Sequence, residues 1–508
     1  MALLTETYQE QIRGIISCFD RIVIQGTLPG FCYPEGMTSY LYQNKIRIFD
    51  YPSLFAIPLR DQLIQNAKKI ADDAGLEIEY VRQKSFRKED IIAKIIIERG
   101  SHPGIVHIFS ALEPCISYKP WHNKKTHKTY LKYDSGKCLH YYFYFIDEIL
   151  GLCYVRVPTW CPFRLQIYFN GHNLLASALS KKNISYTLVD NVFTNISDFH
   201  KAQNISDSFN VETLHRKLDL FAKKFCPVIK QLPEQYHWTI WQAEYATDII
   251  FKKQTDLQNI YDSLVRTTIH TVKPENIATF LGRKLHPNYK DKMGNNFNTR
   301  IMGTRIKHSM GPASIKMYDK LGLVLRIETT INNVSFFKHY RKVEQKDGTQ
   351  IMTYAAMRKG IYNLVPLAEL LYDANSRYLE FISTISDRTN GIKNVIKISK
   401  SVIENDRSYK GFNFFDEEDL NIMLSIERGE FNISGFQNKN LRQKLEGKNS
   451  SQISRILSRL RFHGLIKMIR NTYKYYLTTL GRKVIATALK IKELFIVPEL
   501  CYVLPSTH

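Results

Sequence analysis

The sequence lacks several patterns that mark well-known protein classes. None of its eight cysteines belongs to a Cys-x-x-Cys pair, so zinc knuckles and thioredoxin-like redox motifs are not expected. No apolar run approaches the length of a membrane span, and the first residues lack the basic and apolar regions of a signal peptide. We therefore expect a reduced, cytoplasmic protein without a membrane partner.

Standard catalytic and nucleotide-binding motifs are missing as well. The chain has no Walker A loop, no His-Glu-x-x-His, no Gly-x-Ser-x-Gly and no Gly-x-Gly-x-x-Gly. No nucleotide cofactor is therefore expected. The absence of internal repeats and low-complexity tracts argues against solenoid and disordered architectures.

What the sequence has in excess is positive charge. Its 508 residues include 71 Lys and Arg against 48 Asp and Glu, which gives a formal net charge of +23. Such an excess favours polyanions, because neutralising a phosphate backbone releases condensed counterions. We expect DNA as the partner, with RNA as an alternative. The oligomeric state stays open, a dimer being one option.

The hydrophobic patterns predict an α+β multidomain protein with three parts. These are a mixed α/β domain at 1–220, a helical region with a basic β-hairpin (304–331) at 221–400, and a terminal domain at 411–508. Within the first part, the patterns predict a helix at 88–99, a strand that ends at Glu113-Pro114, a basic loop over 119–132, and then an antiparallel meander. The meander strands are expected at 139–146, 152–157 and 163–169. The polar segment 288–304 is predicted to be a loop.

The terminal domain has the element order of a winged helix. Helices are predicted at 420–430, 438–445 and 453–463, a hairpin at 465–469 and 473–478, and a last helix at 479–491. Between Gln437 and Lys483 there are twelve Lys and Arg residues and one acid, Glu446. This local charge favours binding to DNA over the alternative use of a winged helix, which is contact with other proteins.

Two short motifs in this domain resemble the MarR/ArsR-like winged helix. They are His463-Gly464-Leu465-Ile466 after the third helix and Tyr475-Tyr476-Leu477-Thr478-Thr479-Leu480-Gly481 on the return strand. The resemblance implies that the third helix enters the major groove while the wing contacts phosphate. The implied contacts are Gln452, Ser454, Arg455, Ser458, Arg459 and Arg461 in the helix, and Lys467, Arg470 and Lys474 in the wing.

The central hairpin carries a second, weaker similarity. Ile315-Lys316-Met317-Tyr318-Asp319-Lys320 followed by Val324-Leu325-Arg326-Ile327-Glu328 resembles a hairpin of rolling-circle plasmid and filamentous-phage replication initiators. That family uses a His-x-His metal site, which this chain lacks, so its chemistry is not expected here. A plain basic hairpin is an equal alternative. In either case Arg305, Lys307, Lys316 and Tyr318 are predicted nucleic-acid contacts.

Candidate catalytic residues come from carboxylates at the ends of predicted strands. Asp20, Glu113 and Asp190 would suit an RNase H-type site, in which carboxylates from separate strands hold metal ions. Mg²⁺ or Mn²⁺ would be the cofactor. Each residue taken singly is more typical of a strand end or a turn than of a metal ligand, so the metal and its ligands stay open.

As a whole the chain is similar to proteins of bacterial mobile elements. The leading hypothesis is a DNA-binding nuclease, transposase or replication initiator, whose N-terminal domain performs the reaction and whose winged helix selects the site. Two alternatives remain. One is a non-catalytic MarR-like transcriptional regulator, and the other is an RNA-binding or RNA-guided effector.

Overall fold

A computed structural model describes residues 3–83, 86–286, 288–300, 303–386, 389–427, 431, 435–469 and 472–497. The protein has an α+β multidomain fold with two compact units, residues 1–386 and 387–508. The boundary predicted near residue 220 lies inside the first unit, because a strand at His237–Phe251 pairs with one at Ile12–Thr27. No helix in the described part of the chain is long and apolar enough to cross a membrane.

The first unit contains fifteen described strands. They are β1 (Ile12–Thr27), β2 (Ile78–Tyr80), β3 (Gly104–Asn123), β4 (Lys128–Asp147), β5 (Gly151–Pro158), β6 (Leu165–Asn170), β7 (Tyr186–Val189), β8 (Val192–Ile196), β9 (His237–Phe251), β10 (Met293–Arg300), β11 (Gly303–Met310), β12 (Ala313–Lys320), β13 (Val324–Ile331), β14 (Lys338–Glu344) and β15 (Gln350–Ala356). Eleven form one sheet in the order β10-β11-β12-β13-β9-β1-β6-β5-β4-β3-β2, and β7-β8 and β14-β15 are separate hairpins. Pairing in the large sheet is antiparallel except between β2 and β3.

The helices of the first unit lie between and after these strands. They are α1 (Leu4–Thr7), α2 (Pro34–Gln43), α3 (Ile57–Asp73), α4 (Lys88–Arg99), α5 (Gly171–Lys181), α6 (Phe199–Asp207), α7 (Val211–Phe225), α8 (Gln254–Thr271), α9 (Pro274–Phe280) and α10 (Leu364–Ser386). One sheet face packs against α3, α7, α8 and α10 in the main core. The opposite face is covered by α4 near β3 and β4, and by α5 and α6 near β1.

The predicted antiparallel meander is present, but the segment before it differs from the prediction. The predicted basic loop at 119–132 is wrong, because β3 and β4 pair continuously as far as Asn123↔Lys128. Buried Tyr118 and Leu131 hold the base of this ribbon while its basic side chains point into solvent. The strand also passes through Pro114, although it was predicted to end there. Among the described residues β3 has a partner on one side only beyond Ser110, so the missing N–H of Pro114 faces an open edge.

The hairpin predicted at 304–331 is present as β11, β12 and β13, but the loop predicted before it is not. Residues Met293–Arg300 form β10, which pairs with β11 at the edge of the sheet. An edge strand has one unpaired side, and this position tolerates the Gly/Asn-rich composition that indicated a loop. Strand β13 lies between β12 and β9 and is buried along its whole length.

The second unit follows the predicted order of elements. It consists of α11 (Thr389–Ser399), β16 (Val402–Glu404), β17 (Arg407–Tyr409), α12 (Glu417–Ile426), α13 (Asn438–Arg442), α14 (Ser450–Phe462), β18 (Ile466–Met468), β19 (Tyr475–Leu477) and α15 (Thr479–Ile491). Ile453, Leu457 and Leu460 of α14 lie in its core. Residues 400–410, between the second and third predicted parts, contain the β16-β17 hairpin.

Candidate metal centre and nucleic-acid interface

Three carboxylates from three adjacent strands meet on one face of the large sheet. Asp20 lies on β1, Glu244 on β9 and Glu328 on β13, and one ligand oxygen from each falls within 4.8 Å of the others. Their side chains are 7%, 16% and 2% exposed, respectively. Carboxylate oxygens are the donors that Mg²⁺ and Mn²⁺ prefer, so this donor set fits a hard divalent cation.

A β-bulge in β1 brings Asp20 into this cluster. Phe19 pairs with Tyr245 and Ile22 with Ala243, so Asp20 and Arg21 together stand opposite the single residue Glu244. A bulge of this kind bends the strand and redirects its side chains, and bulges are frequent beside active sites. The local irregularity of β1 therefore determines where the Asp20 carboxylate lies.

Asp20 is held by hydrogen bonds from several elements. Its Oδ1 accepts from Asn170 Nδ2 at 3.0 Å and from Asn191 Nδ2 at 2.7 Å, and its Oδ2 accepts from Arg326 Nη1 at 3.3 Å. Burial alone would raise the pKa of this carboxyl, but its contacts with His172, Arg326 and Asn191 outweigh burial and hold the pKa well below its usual value. Asp20 is therefore a fixed carboxylate anion.

A buried ion pair between Arg326 and Asp248 lies next to Asp20. Arg326 Nε and Nη2 donate to the two oxygens of Asp248 at 2.6 and 2.7 Å, and both side chains are fully buried. Arg326 Nη2 also lies 3.0 Å from Nε2 of His172, whose Nδ1 is 3.1 Å from Asp20 Oδ1; burial opposes the charge of this imidazole, but Cys18 and the nearby Asp20 and Asp248 raise its pKa well above the usual value. Gly171 permits this arrangement, because a Cβ there would lie 2.0 Å from the Phe19 carbonyl oxygen.

Lys316 and Tyr318 on β12 contact the other two carboxylates. Lys316 Nζ lies 2.5 Å from Glu328 Oε1 and 3.3 Å from Glu244 Oε1, and the Tyr318 hydroxyl donates to Glu328 Oε2 at 2.5 Å. Lys316 was predicted to contact nucleic acid. It is instead the ammonium partner of this buried pair, because β12 and β13 place it directly opposite Glu328.

The carboxylate cluster and the side chains paired with it have more negative than positive charge in their ion-pair contacts. Four carboxylates (Asp20, Asp248, Glu244 and Glu328) face Lys316 and Arg326, and His172, whose pKa is raised well above its usual value, lies within ion-pair distance of Asp20 and Asp248. Burial and the neighbouring Glu328 carboxylate raise the pKa of Glu244 above its usual value. The three positive side chains in these contacts therefore leave about one carboxylate charge without a partner, and Glu244 is the carboxylate that protonates most readily.

Only one of the three predicted catalytic carboxylates belongs to the cluster. Glu113 lies on β3, four strands and about 19 Å from β1 at the usual strand spacing. It accepts from Arg156 Nη2 at 2.7 Å and from the Tyr142 hydroxyl at 2.6 Å. Asp190 is 75% exposed and pairs with Lys320 Nζ at 3.2 Å. Neither points into the cluster.

Glu244 and Glu328 were missed for different reasons. Glu328 lies in the hairpin that was predicted to be basic and to contact nucleic acid, whereas β13 is buried along its whole length. Glu244 lies in an aromatic segment that was interpreted as helical, whereas it belongs to β9. A charged residue in a strand that is otherwise apolar is the one signal that could have drawn attention to either of them.

The second unit carries an exposed polar surface on α14 and on the β18-β19 hairpin. The exposed residues of α14 are Gln452, Ser454, Arg455 and Arg461, and Ser458 is half-buried. In the hairpin, Lys467 and Lys474 are exposed. Asn449 caps α14 by accepting from the backbone N–H of Gln452. The predicted contact Arg470 lies outside the described residues. On the first unit, Arg305 and Lys307 are half-buried on β11.

Arg459 does not belong to this exposed surface, contrary to prediction. Its guanidinium forms two bonds to Asp419, at 2.5 and 2.8 Å, and donates to the carbonyl oxygens of Lys410 and Gly411. It also lies 3.9 Å from the ring centroid of Phe412. Its charge is neutralised within the unit, so Arg459 is a structural residue. Arg455, one turn earlier, is exposed.

Compared with known proteins, the chain matches no protein-family profile, no curated protein and no solved structure. The two sites are therefore interpreted from their own geometry.

Proposed function

We propose that this protein is a metal-dependent enzyme that cleaves phosphodiester bonds in DNA. The observation that supports it most directly is the convergence of Asp20, Glu244 and Glu328 from three adjacent strands on one face of the sheet. Enzymes that hydrolyse phosphodiesters commonly hold Mg²⁺ or Mn²⁺ with carboxylates brought together in this way. We expect one of these two ions at the cluster.

The reaction is the hydrolysis of one DNA strand. A water oxygen forms a bond to phosphorus, the P–O bond to one sugar oxygen breaks, and that oxygen receives a proton. A bound divalent ion would supply Lewis acidity and charge neutralisation. Asp20 is fixed as an anion, and Tyr318 orients Glu328 through its hydroxyl. Burial and Glu328 raise the pKa of Tyr318 well above its usual value, which favours this orienting role over that of a nucleophile.

The second unit would select the DNA site. Its exposed Arg455, Lys467 and Lys474 suit phosphate and base contacts, as in a winged helix whose third helix lies in the major groove. This division of labour makes the protein a candidate nuclease, transposase or replication initiator of a mobile element.

The test is incubation of the full chain with supercoiled plasmid and with single-stranded DNA, in Mg²⁺, in Mn²⁺ and in EDTA. We expect metal-dependent nicking that is lost in Glu244→Gln. Glu244 is the most exposed of the three carboxylates, so this change disturbs folding least. Glu113→Gln is the matched control, because it removes a carboxylate from an ion pair four strands away and should leave nicking intact.

Other outcomes would favour the alternatives. Sequence-specific binding to duplex DNA without cleavage in any metal would favour a transcriptional regulator. Preferential binding of RNA over DNA would favour an RNA-directed protein. Nicking that persists unchanged in Glu244→Gln would exclude the cluster as the active site.

A further inference from the structure

Arg21 lies beside the carboxylate cluster, on the side opposite Lys316. It is the second residue of the β1 bulge, so it shares Glu244 as its facing residue with Asp20. Its guanidinium carbon lies 5.0 Å from the ring centroid of Tyr168 on β6, and Tyr168 in turn stacks on Tyr154 with centroids 5.0 Å apart. The aromatic pair fixes the arginine laterally next to the cluster.

The charge of Arg21 has no ion-pair partner among the residues that the structure describes. Its Nε–H is buried and donates to no hydrogen-bond acceptor there, although a buried N–H normally has one. Two other arginines of the sheet have carboxylate partners. Arg326 pairs with Asp248, and Arg156 pairs with Glu113. Arg21 is thus held next to Tyr154 and Tyr168 without a carboxylate partner of its own, so its charge is available to an anion.

The local electrostatics indicate which anion it is. The carboxylates would repel an anion next to Arg21 unless a cation neutralised them first. A divalent ion at the cluster and the guanidinium would then present positive charge from two sides to one group. A phosphodiester, with two non-bridging oxygens, fits between them. A planar guanidinium also offers two parallel donors, which a lysine at this position would not.

We propose that Arg21 binds a non-bridging oxygen of the DNA phosphodiester that is cleaved at the Asp20–Glu244–Glu328 cluster. This inference rests on the proposed function, since the cluster must hold a cation for the phosphate to approach. It makes Arg21 a phosphate-binding residue that opposes the growing negative charge of the transition state. The Tyr168–Tyr154 pair holds it in place.

The experiment compares Arg21→Met with Arg13→Met in the full chain. Arg13 lies on the same strand but is exposed and remote from the cluster, so it is a matched loss of charge. We expect kcat/KM for nicking to fall about 100-fold in Arg21→Met and to stay unchanged in Arg13→Met. Arg21→Lys should recover part of the loss, because it keeps the charge without the paired donors.

A second readout separates phosphate binding from structural support. If Arg21 binds phosphate, the affinity of Arg21→Met for Mn²⁺, measured by calorimetry without DNA, stays equal to that of the wild type or rises. The extra affinity for single-stranded DNA that Ca²⁺ gives over EDTA should disappear in the same variant. A fall in Mn²⁺ affinity that parallels the loss of activity would show that Arg21 only shapes the cluster, and would overturn the inference.

The two proposals fail in different ways. A wild-type protein that nicks DNA, loses nicking in Glu244→Gln and keeps full activity in Arg21→Met would overturn the role of Arg21 alone. A wild-type protein that cleaves nothing in any metal would overturn the proposed function, and the role of Arg21 with it.

Discussion

Removing the ammonium group of Lys316 tests whether the carboxylate cluster is a cation site. In Lys316→Met, Glu244 and Glu328 lose their common partner while remaining largely buried, with side chains 16% and 2% exposed. Removing one partner of a buried pair typically destabilises a protein by about 3–5 kcal/mol, because the remaining charge is uncompensated. Protonation of Glu244 relieves part of that cost, so we expect a loss of about 3 kcal/mol in EDTA.

A divalent ion should reverse this loss, since it would take the place that the ammonium group left. An ion at one hundred times its dissociation constant stabilises the folded state by about 2.7 kcal/mol. We therefore expect Mn²⁺ to restore most of the stability of Lys316→Met. The stabilisation should exceed that of the wild type, in which the ion competes with Lys316 Nζ for Glu244 and Glu328.

Urea unfolding followed by tryptophan fluorescence measures these effects in the first unit, which contains the carboxylate cluster. All four tryptophans (Trp121, Trp160, Trp238 and Trp241) lie in the first unit, so the signal does not report on the second. Lys217→Met is the control, because it removes the ammonium partner of the largely buried Asp147, an ion pair of the first unit that does not involve the cluster. If Mn²⁺ stabilises both variants equally, or if Lys316→Met is as stable as the wild type in EDTA, the cluster is not a cation site.

Three further predictions follow from the same contacts. Affinity for Mn²⁺ should fall as the pH is lowered through the raised pKa of Glu244, because the ion requires the deprotonated carboxylate. Calorimetry should show that this pH dependence is weaker in Glu244→Gln. Arg326→Met should lower the free energy of unfolding by about 3–5 kcal/mol, because Asp248 then remains buried without its arginine partner. The double variant Arg326→Met/Asp248→Leu should be more stable than Arg326→Met. If the two substitutions instead lower the free energy of unfolding additively, this account of the pair is wrong. Arg459→Ala should destabilise the second unit in thermal unfolding. Arg455→Ala should leave the stability of this unit unchanged but should weaken binding to duplex DNA and reduce the salt dependence of binding. Equal effects of the two substitutions on stability would refute the structural role of Arg459.

The elements that local pattern determines could be predicted from the sequence. Helix α4 was predicted at Lys88–Arg99 and α15 at 479–491, and both are found with those bounds. Each has its own helical periodicity and its own start and stop signals, so no distant residue is needed to define it. The three meander strands were recognised on the same basis.

The cluster could not be predicted in this way, because it depends on the pairing of strands far apart in the chain. Asp20 enters it through a bulge defined by the register of β1 against β9, and Glu328 through the pairing of β13 with β9. Neither register is encoded near the residues concerned. Arg459 illustrates the same limit within a helix. It lies on the polar side of α14, but Asp419 on α12 neutralises it.

The buried charges themselves need an explanation that stability does not provide. Replacing a buried ion pair with well-packed apolar residues is often neutral or stabilising, so a fold gains little by keeping Arg326, Asp248, Lys316 and Glu328 in its interior. In this sheet the charged residues occupy one face at the junction of three strands, while the opposite face carries an ordinary apolar core. A group of buried charges that costs stability and lies together on one face is typical of a functional site, where stability is exchanged for chemistry. That asymmetry between the two faces is the physical reason for proposing a reaction at Asp20, Glu244 and Glu328.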